Sequence, residues 1–414
     1  MLKAVILIGG PQKGTRFRPL SLDIPKPLFP VAGLPIIQHH IEACLSVKEL
    51  KEIFIIGFYP VTQIQQFVND MQLQYDIPIK YLQEFTALGT AGCLFHFRDQ
   101  IRLGSPDAFF VMNGDVCADF CLNDLYQFHK DRSAEAFITI MSTEATKQQS
   151  LNYGCLVLDK KSNEVTHYVE KPSSYVSTLI NCGVYVFSLK IFNIIGETFM
   201  SKQEDYYKSN GNGSKDAGYI QLERDILTPL AGTGKLFAFP VSNWWSQLKT
   251  ASSAIYANRH YLELYRTKYP ERLAGGRQSE QCKIIPDVHI DDSAQIHPTA
   301  VIGPNVSIGP GVIIGAGVRI RESIILDAAV IEERSLILHS IIGRNSKVGK
   351  WARVEGTPCD PDPNKPFAKM ENPRLFNIDG RLNPSITILA YNIFRLFSEC
   401  AIRNHTFELH CTAK

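Results

Sequence analysis

The sequence predicts an α/β domain followed by a left-handed parallel β-helix. Three observations carry this. Short apolar runs alternate with amphipathic segments over the first 145 residues, a glycine-rich loop follows the first apolar run, and aliphatic residues recur every six positions beyond residue 285. Alternating strand and helix patterns produce a parallel sheet covered by helices on both faces. A sustained six-residue apolar period is the pattern of stacked β-helix coils, which bury their corners only against neighbouring coils.

The first strand candidate is Ala4–Ile8, a fully apolar run. It opens into Gly9-Gly10-Pro11-Gln12-Lys13-Gly14-Thr15-Arg16-Phe17-Arg18-Pro19-Leu20 and continues to Pro25-Lys26-Pro27-Leu28. Glycines let backbone N–H groups approach a ligand more closely than residues with a Cβ allow. Consecutive N–H groups in such a turn form a concavity suited to anions. Arg16, Arg18 and Lys26 add cationic groups, and arginine offers bidentate hydrogen bonds. A phosphate-rich ligand is the expectation. The spacing of a Walker loop is absent.

Further strand candidates are Glu52–Phe58, Ile79–Gln83, Ala108–Met112 and Ala136–Met141. Helical patterns lie at Ile36–Ser46, Thr62–Leu73, Ala91–Ile101 and Leu122–Lys130. In such sheets ligands bind outside the carboxyl ends of the strands, so Gly9 and Asp115 should face one crevice. Residues 153–245 are more mixed, with strands at Gly154–Leu158, Val165–Val169 and Gly183–Phe187. The polar stretch Ser201–Gly218 predicts a mobile loop.

A helical stretch, Ser252–Tyr269, leads through Gly275-Gly276-Arg277-Gln278-Ser279 into the repeat. One register holds Ile290, Ile296, Ile302, Ile308, Ile314, Ile320 and Leu326; a second holds Val306, Val312, Val318, Ile324, Val330, Leu336, Ile342, Val348 and Val354. The periodicity stops near Glu355. Glu355–Pro384 is rich in Pro, Asp, Asn and Lys, and a connection of that length is either disordered or functional. Ile386–Leu389 reads as a strand, but the sequence from Tyr391 to Phe397 suits neither hexapeptide packing nor a clear cap. The expected organisation is a first domain over 1–251, a helical linker over 252–285, a hexapeptide β-helix over 286–356, and a long loop with an atypical tail over 357–414.

The bulk properties set the class. The 414 residues allow two or three domains, and 45% hydrophobic with 20% charged residues describes an ordinary globular chain. A net charge of +2 gives no case for nucleic acid or an acidic membrane surface. The ten cysteines are scattered, many in apolar strands, which suits small buried hydrophobes in a reducing compartment. No zinc spacing, secretory signal or membrane-spanning run is present in the sequence, and a cytoplasmic location is expected.

The first loop, together with Leu88-Gly89-Thr90-Ala91-Gly92, Asn113-Gly114-Asp115, Tyr153-Gly154, Val169-Glu170-Lys171-Pro172 and Asn181-Cys182-Gly183, resembles the mannose-1-phosphate guanylyltransferase family. The match is closest to the alpha-type subunit and covers residues 1 to about 385. It implies a Rossmann-like nucleotidyltransferase domain. By resemblance, Gly9, Gly10, Gly14, Thr15, Arg16 and Lys26 would hold nucleotide phosphates. Glu84, Gly89, Thr90 and Asn113 would complete the nucleotide site near the base. Tyr153, Gly154, Glu170, Lys171, Asn181 and Gly183 would surround the mannose phosphate. Arg16 and Lys26 would be the catalytic cations, GDP-mannose or GTP the ligand, and Asp115 the first carboxylate on Mg2+.

Three departures from the family pattern stand out. The second metal carboxylate, an Asp two residues after a Trp, is here Gln247. Three residues, Pro11, Gln12 and Lys13, separate Gly-Gly from Gly-Thr-Arg where active relatives place one, and Pro11 also removes a backbone N–H. The resemblance fades near Ala390. Two functional readings follow. In one, the chain is a GDP-mannose-binding regulatory subunit mediating feedback inhibition of a homologous catalytic guanylyltransferase, with further copies pairing through the β-helix. In the other, it is itself an active guanylyltransferase. A hexapeptide acyltransferase is a distant third, because the repeat carries no catalytic His in a convincing context. Taken singly, each residue has a bland role: Asp115 could cap a helix, Lys171 could be solvated, and His39-His40 suits helix surface and core. The tryptophans read as packing anchors. The joint order of the motifs is what favours a site.

Overall fold

The computed structural model describes residues 1–10, 15–208, 218–275, 282–356, 386–392, 394–396, 401–403 and 406–407. The chain divides into two compact units: Met1–Gly10 with Ile37–Trp245, and Pro11–Ile36 with Ser246–Lys414.

The first unit is built on a nine-stranded sheet. Its strands are β1 (Leu2–Gly9), β2 (Leu50–Gly57), β3 (Ile79–Gln83), β4 (Ala108–Asn113), β5 (Ile138–Glu144), β6 (Gly154–Leu158), β7 (Val165–Glu170), β8 (Leu179–Phe187) and β9 (Leu236–Val241). The order is β7-β6-β8-β4-β1-β2-β3, with β5 pairing both β8 and β9. Strands β4, β1, β2 and β3 are parallel, as the alternation predicts. The sheet as a whole is mixed, because β8 runs antiparallel between β4 and β5. Strand β5 therefore still points with the parallel set, but a later strand has been inserted beside it. Ala4, Val5 and Ile6 on β1 are fully buried, as continuous apolar runs are when both sheet faces are covered. Val5, Phe54, Phe109, Val111, Tyr185 and Phe187 join one core.

The helices follow the sequence closely at Ile36–Leu45, Val61–Tyr75 and Leu122–Lys130. The single helix expected over Ala91–Ile101 is two, Gly89–His96 and Arg98–Arg102, broken at Phe97, which turns into the core. A helix Ile191–Lys208, anchored by buried Ile191, Phe192 and Ile195, reaches into the stretch expected to be a loop. Residues 209–217 lie outside the described residues. His39 and His40 are both buried, so the surface-and-core reading holds for neither as surface.

In the second unit, helix Ser252–Lys268 joins the segment before residue 36 to the repeat. Asn258 Oδ1 accepts from Ala32 N at 2.8 Å, Arg259 donates to Glu322 at 2.8 Å, and Arg266 donates to Asp287 at 3.2 Å. Short strands stack in three parallel ladders, the arrangement of a β-helix. Ile302 pairs with Ile320, and Ile320 with Ile337, so the second coil is one residue shorter. That shift matters because neighbouring strand residues face opposite ways. Ile331 and Ile337 are fully buried, and Val330 and Leu336, expected inside, are only half-buried.

The tail differs from expectation. Thr387–Leu389 pairs with Ser340–Ile342, Phe394–Leu396 with Lys347–Val348, Ala401–Arg403 with Arg353–Glu355, and Thr406–Phe407 with Ile388–Leu389. The chain beyond Ala390 thus continues the coils. Its periodicity is hidden because a long insertion separates two stacked strands and a register shift interrupts the Phe394–Leu396 pairing. Residues 357–385, which include most of the expected long loop, lie outside the described residues, as does the glycine linker at 276–279. Trp351 is exposed and sits beside Arg334, so it is no packing anchor.

Candidate functional site

The carboxyl ends of β1, β2, β3 and β4 present Gly9, Gly57, Gln83 and Asn113 side by side. The loops leaving them are tied to the neighbouring strands. Phe58 N donates to Gly9 O at 2.7 Å, Glu84 N to Gly57 O at 2.8 Å, and Gly114 N to Leu7 O at 2.8 Å. Gly9 has φ +61° with open space where a Cβ would stand, so its backbone is approachable. A Cβ on Gly10 would lie 2.5 Å from Phe58 Cβ, so there the glycine is a packing requirement. Gly14 and Pro11–Lys13 lie outside the described residues. Thr15 and Arg16 stand exposed on the turn Thr15–Phe17, and Lys26 Nζ lies 6.0 Å from the Phe17 ring. These three residues and Gln247 belong to the second unit.

Glu84 is buried directly after β3. Gly89 opens the next helix at φ +76°, and a Cβ there would meet Ile220 O at 2.3 Å. Ile220 O also accepts from Ala91 N at 3.1 Å and Gly92 N at 3.3 Å. The backbone of this turn is thereby clamped to Ile220. Thr90 Oγ1 accepts from Leu222 N at 2.9 Å and donates to Glu223 at 3.4 Å.

A polar network joins β7 and β8. Tyr168 Oη donates to Glu170 Oε2 at 3.1 Å, and Lys171 Nζ lies 2.9 Å from Glu170 Oε1. Asn181 Nδ2 donates to Tyr168 at 3.1 Å and Tyr185 at 2.8 Å, while its Oδ1 accepts from Gly183 N at 2.8 Å. Asn181 therefore uses both ends of its amide, which fixes its orientation. Gly154 leaves room for this network, because a Cβ there would meet Tyr168 Oη at 2.0 Å. Gly183, at φ +73°, likewise makes way for Asn113 Nδ2, 2.6 Å from a would-be Cβ. Tyr153 packs edge-on against Trp245 at 5.2 Å, and Trp245 Nε1 donates to Cys182 O at 2.9 Å. Lys171 adopts φ +47°, an uncommon conformation for a lysine, and its side chain is 63% exposed. Exposure leaves the ammonium able to meet a ligand.

Burial and the nearby Glu170 carboxylate push the Glu223 carboxyl up, against Lys171 and the Thr90 hydroxyl, which pull it down. Burial also drives the Tyr168 and Tyr185 phenols well above their ordinary range, with neighbouring carboxylates adding to the effect. Both tyrosines stay protonated hydrogen-bonding groups. Glu223, Tyr168 and Tyr185 were not among the residues singled out from sequence. Glu223 lies in a π-helix, Leu222–Leu227, whose irregular winding has no simple periodic signal. Tyr168 lies within the strand expected over Val165–Val169, but a local pattern carries no signal for its bonding partners.

Asp115 is half-buried just before the short strand Val116–Ala118, so it caps no helix. Among the described residues no group of three His, Cys, Asp or Glu side chains gathers to hold a metal ion. Gln247, two residues after Trp245, carries a neutral amide in place of a carboxylate. Seven cysteines are described, as thiols, and six of them are buried. No described helix is long and apolar enough to cross a membrane.

Comparison with known proteins agrees with this architecture. The nucleotidyl transferase family model matches residues 3–218, and the GMPPB C-terminal domain model matches residues 284–404. The chain is 66% identical to the mannose-1-phosphate guanylyltransferase regulatory subunit alpha of Drosophila melanogaster, over 94% of this chain and 92% of that one. It is 54% identical to the regulatory subunit alpha-B of Danio rerio and 51% to the regulatory subunit alpha of Papio anubis, each over 98% of this chain and 96% of the relative. A solved glucose-1-phosphate thymidylyltransferase from Bacillus anthracis superposes with a TM-score of 0.53 at 20% identity, covering 67% of this chain and 98% of that one, a likeness of fold. With a β1 loop, a glycine turn clamped to Ile220 and a tyrosine–carboxylate cluster arranged on a nucleotidyltransferase sheet, this chain belongs to the nucleotidyl transferase family, among its mannose-1-phosphate guanylyltransferase alpha subunits.

Proposed function

We propose that this chain binds GDP-mannose and regulates a homologous catalytic guanylyltransferase subunit, with little turnover of its own. One observation carries the reading: the polar cluster of Tyr168, Glu170, Lys171, Asn181 and Glu223 is fully built, whereas the second metal position reads Gln247. Glu170 and Glu223 suit sugar hydroxyls as acceptors, and Lys171 suits a phosphate as a point charge. A diphosphate sugar asks less of the first loop than GTP with magnesium does. The three residues Pro11–Lys13, where active relatives carry one, favour the same reading.

Binding and catalysis separate here for an electrostatic reason. Phosphoryl transfer depends on positioning and on neutralising charge that develops in the transition state. Magnesium, when bound beside the phosphates, supplies part of that neutralisation in this family. Loss of one carboxylate weakens its hold without disturbing the sugar contacts. The polar segment Glu355–Pro384, with Lys365, Lys369 and Arg374, is the proposed coupling element to the partner, and the β-helix the proposed pairing surface. A cytoplasmic site of action fits the reduced cysteines.

Calorimetry of the purified chain with GDP-mannose tests the binding reading; absence of heat at millimolar ligand sinks it. A turnover assay of the catalytic partner, with and without this chain, tests regulation. Replacing residues 358–382 with a short Gly-Ser linker should keep GDP-mannose binding and remove its effect on the partner.

A further inference from the structure

A second cavity, of about 610 Å³, opens at the other end of the first unit's sheet. It sits where β4 begins at Ala108 and where β8 has just ended at Ser188. The strand ends that carry Gly9 and Asn113 lie at the opposite end of β4, a six-residue strand of roughly 20 Å at about 3.3 Å per residue. The two spaces are therefore separate, and the residues of the proposed GDP-mannose site do not line this one.

Its wall carries four charges of opposing sign, Glu49 and Asp107 against Lys130 and Lys190. Donors and acceptors therefore stand together on the wall, the combination that hydroxyl groups, which both donate and accept, can meet. The Asp107 carboxylate is already bonded by the chain's own amino terminus, and Lys190 Nζ donates to Ala134 O at 3.4 Å. Beside these charges stands a set of neutral hydrogen-bonding groups. Tyr126 stands close to both carboxylates; burial first, then Asp107 and Glu49, raise its phenol above the ordinary range, so it stays a donor. His129 is buried, with Nδ1 engaged by Thr139 Oγ1 at 2.8 Å. Burial pushes it down to about 4, so its ring is neutral at physiological pH. Ser188 is 8% exposed, and its hydroxyl has no hydrogen-bond partner among the described residues. A buried hydroxyl without a partner is unfavourable, and a rotation about one serine bond lets it meet a ligand. Leu189 supplies an apolar surface beside these groups.

We propose that this cavity is a second ligand site, for an uncharged polyhydroxylated ring of monosaccharide size. Vicinal hydroxyls can donate to Glu49 and His129 while accepting from Tyr126 and Ser188. The C–H face of such a ring matches Leu189. The volume falls within the range of small-molecule pockets, roughly 300–1,000 Å³. This inference stands independently of the GDP-mannose reading, since none of its groups belongs to that site.

Ligand-observed NMR on the full chain, with myo-inositol and D-glucose as probes at millimolar concentration, tests it. Binding is expected for at least one probe. Tyr126→Phe should weaken it about tenfold, the effect of losing one good hydrogen bond. Ser188→Leu should abolish it by filling the cavity, with circular dichroism confirming the fold. Should Ser188→Leu fail to fold, Tyr126→Phe alone decides. GDP-mannose affinity should be unchanged in both variants. No binding of either probe, binding unaffected by Tyr126→Phe, or binding of inorganic phosphate in preference to both probes would overturn the proposal.

Discussion

The cluster proposed to face the sugar and the positions proposed to face the metal differ in how completely they are built. On the sugar side, Tyr168, Glu170, Asn181 and Tyr185 are bonded to one another, and Gly154 and Gly183 leave the space those bonds need. On the metal side, Asp115 is present but the expected second carboxylate is Gln247, and the first loop carries Pro11, Gln12 and Lys13. The groups of the cluster support one another, so loss of Asn181 would take a hydrogen-bond partner from both buried tyrosines, Tyr168 and Tyr185. At the proposed metal position, a longer and neutral amide stands where the family pattern has Asp, which removes a charge without touching the bonds of the cluster. On the proposed reading, catalysis is lost at one position while a binding surface persists.

The largest expected effect lies on the metal side. The pure chain should release pyrophosphate from GTP and mannose 1-phosphate about 100- to 1,000-fold more slowly than a catalytic relative, the typical effect of losing one placed electrostatic group. Gln247→Asp combined with deletion of two residues from Pro11–Lys13 should recover part of that rate in a magnesium-dependent pyrophosphate assay. Full activity of the unaltered chain would erase the contrast between the two sides.

On the sugar side, Lys171→Ala should weaken GDP-mannose binding by roughly 10- to 100-fold, since hydrogen bonds to charged groups contribute about 1.5–3 kcal/mol. Lys160→Ala, on the exposed turn after β6, serves as the comparison and should leave calorimetric affinity unchanged. Equal effects of the two would reduce Lys171 to a solvated lysine.

Gly183→Ala should cost about 1–3 kcal/mol of stability, because φ +73° is strained for alanine and its Cβ would press on Asn113. Thermal melting with and without GDP-mannose measures this. A variant as stable as the parent would show that the glycine is not spatially required.

The smallest effect concerns Glu223. Burial, then Glu170, raise its folded carboxyl above the ordinary 4.5, so the folded chain holds its proton to higher pH than the unfolded chain does. Stability from this group is greatest below the ordinary value and declines as pH rises through the window up to the raised value. Glu223→Gln should remove that decline, melting slightly higher than the parent at neutral pH and equally near about pH 4. Coincident pH profiles would mean that the carboxylate is better solvated than its surroundings indicate.

Much of this protein was determined by its sequence alone. The strand Ile79–Gln83 and the helix Leu122–Lys130 lie where their residue patterns place them, and the period-six repeat announced the β-helix. These features are legible because burial of a strand or helix face imposes a local period that survives in the sequence. Glu170, Lys171 and Asn181, which the structure brings into one polar cluster, also stood out in the sequence as members of a family order. Only the tertiary structure decided the rest. It inserted β8 antiparallel between β4 and β5, put Ile331 and Ile337 inside in place of Val330 and Leu336, and returned the chain beyond Ala390 to the coils. It also brought Glu223 from a π-helix to Thr90, alongside Glu170 and Lys171. Each of these depends on which distant strand lies alongside, or on a one-residue change in coil length. A local pattern states which residues are buried together with their neighbours, but not across which partner they pair.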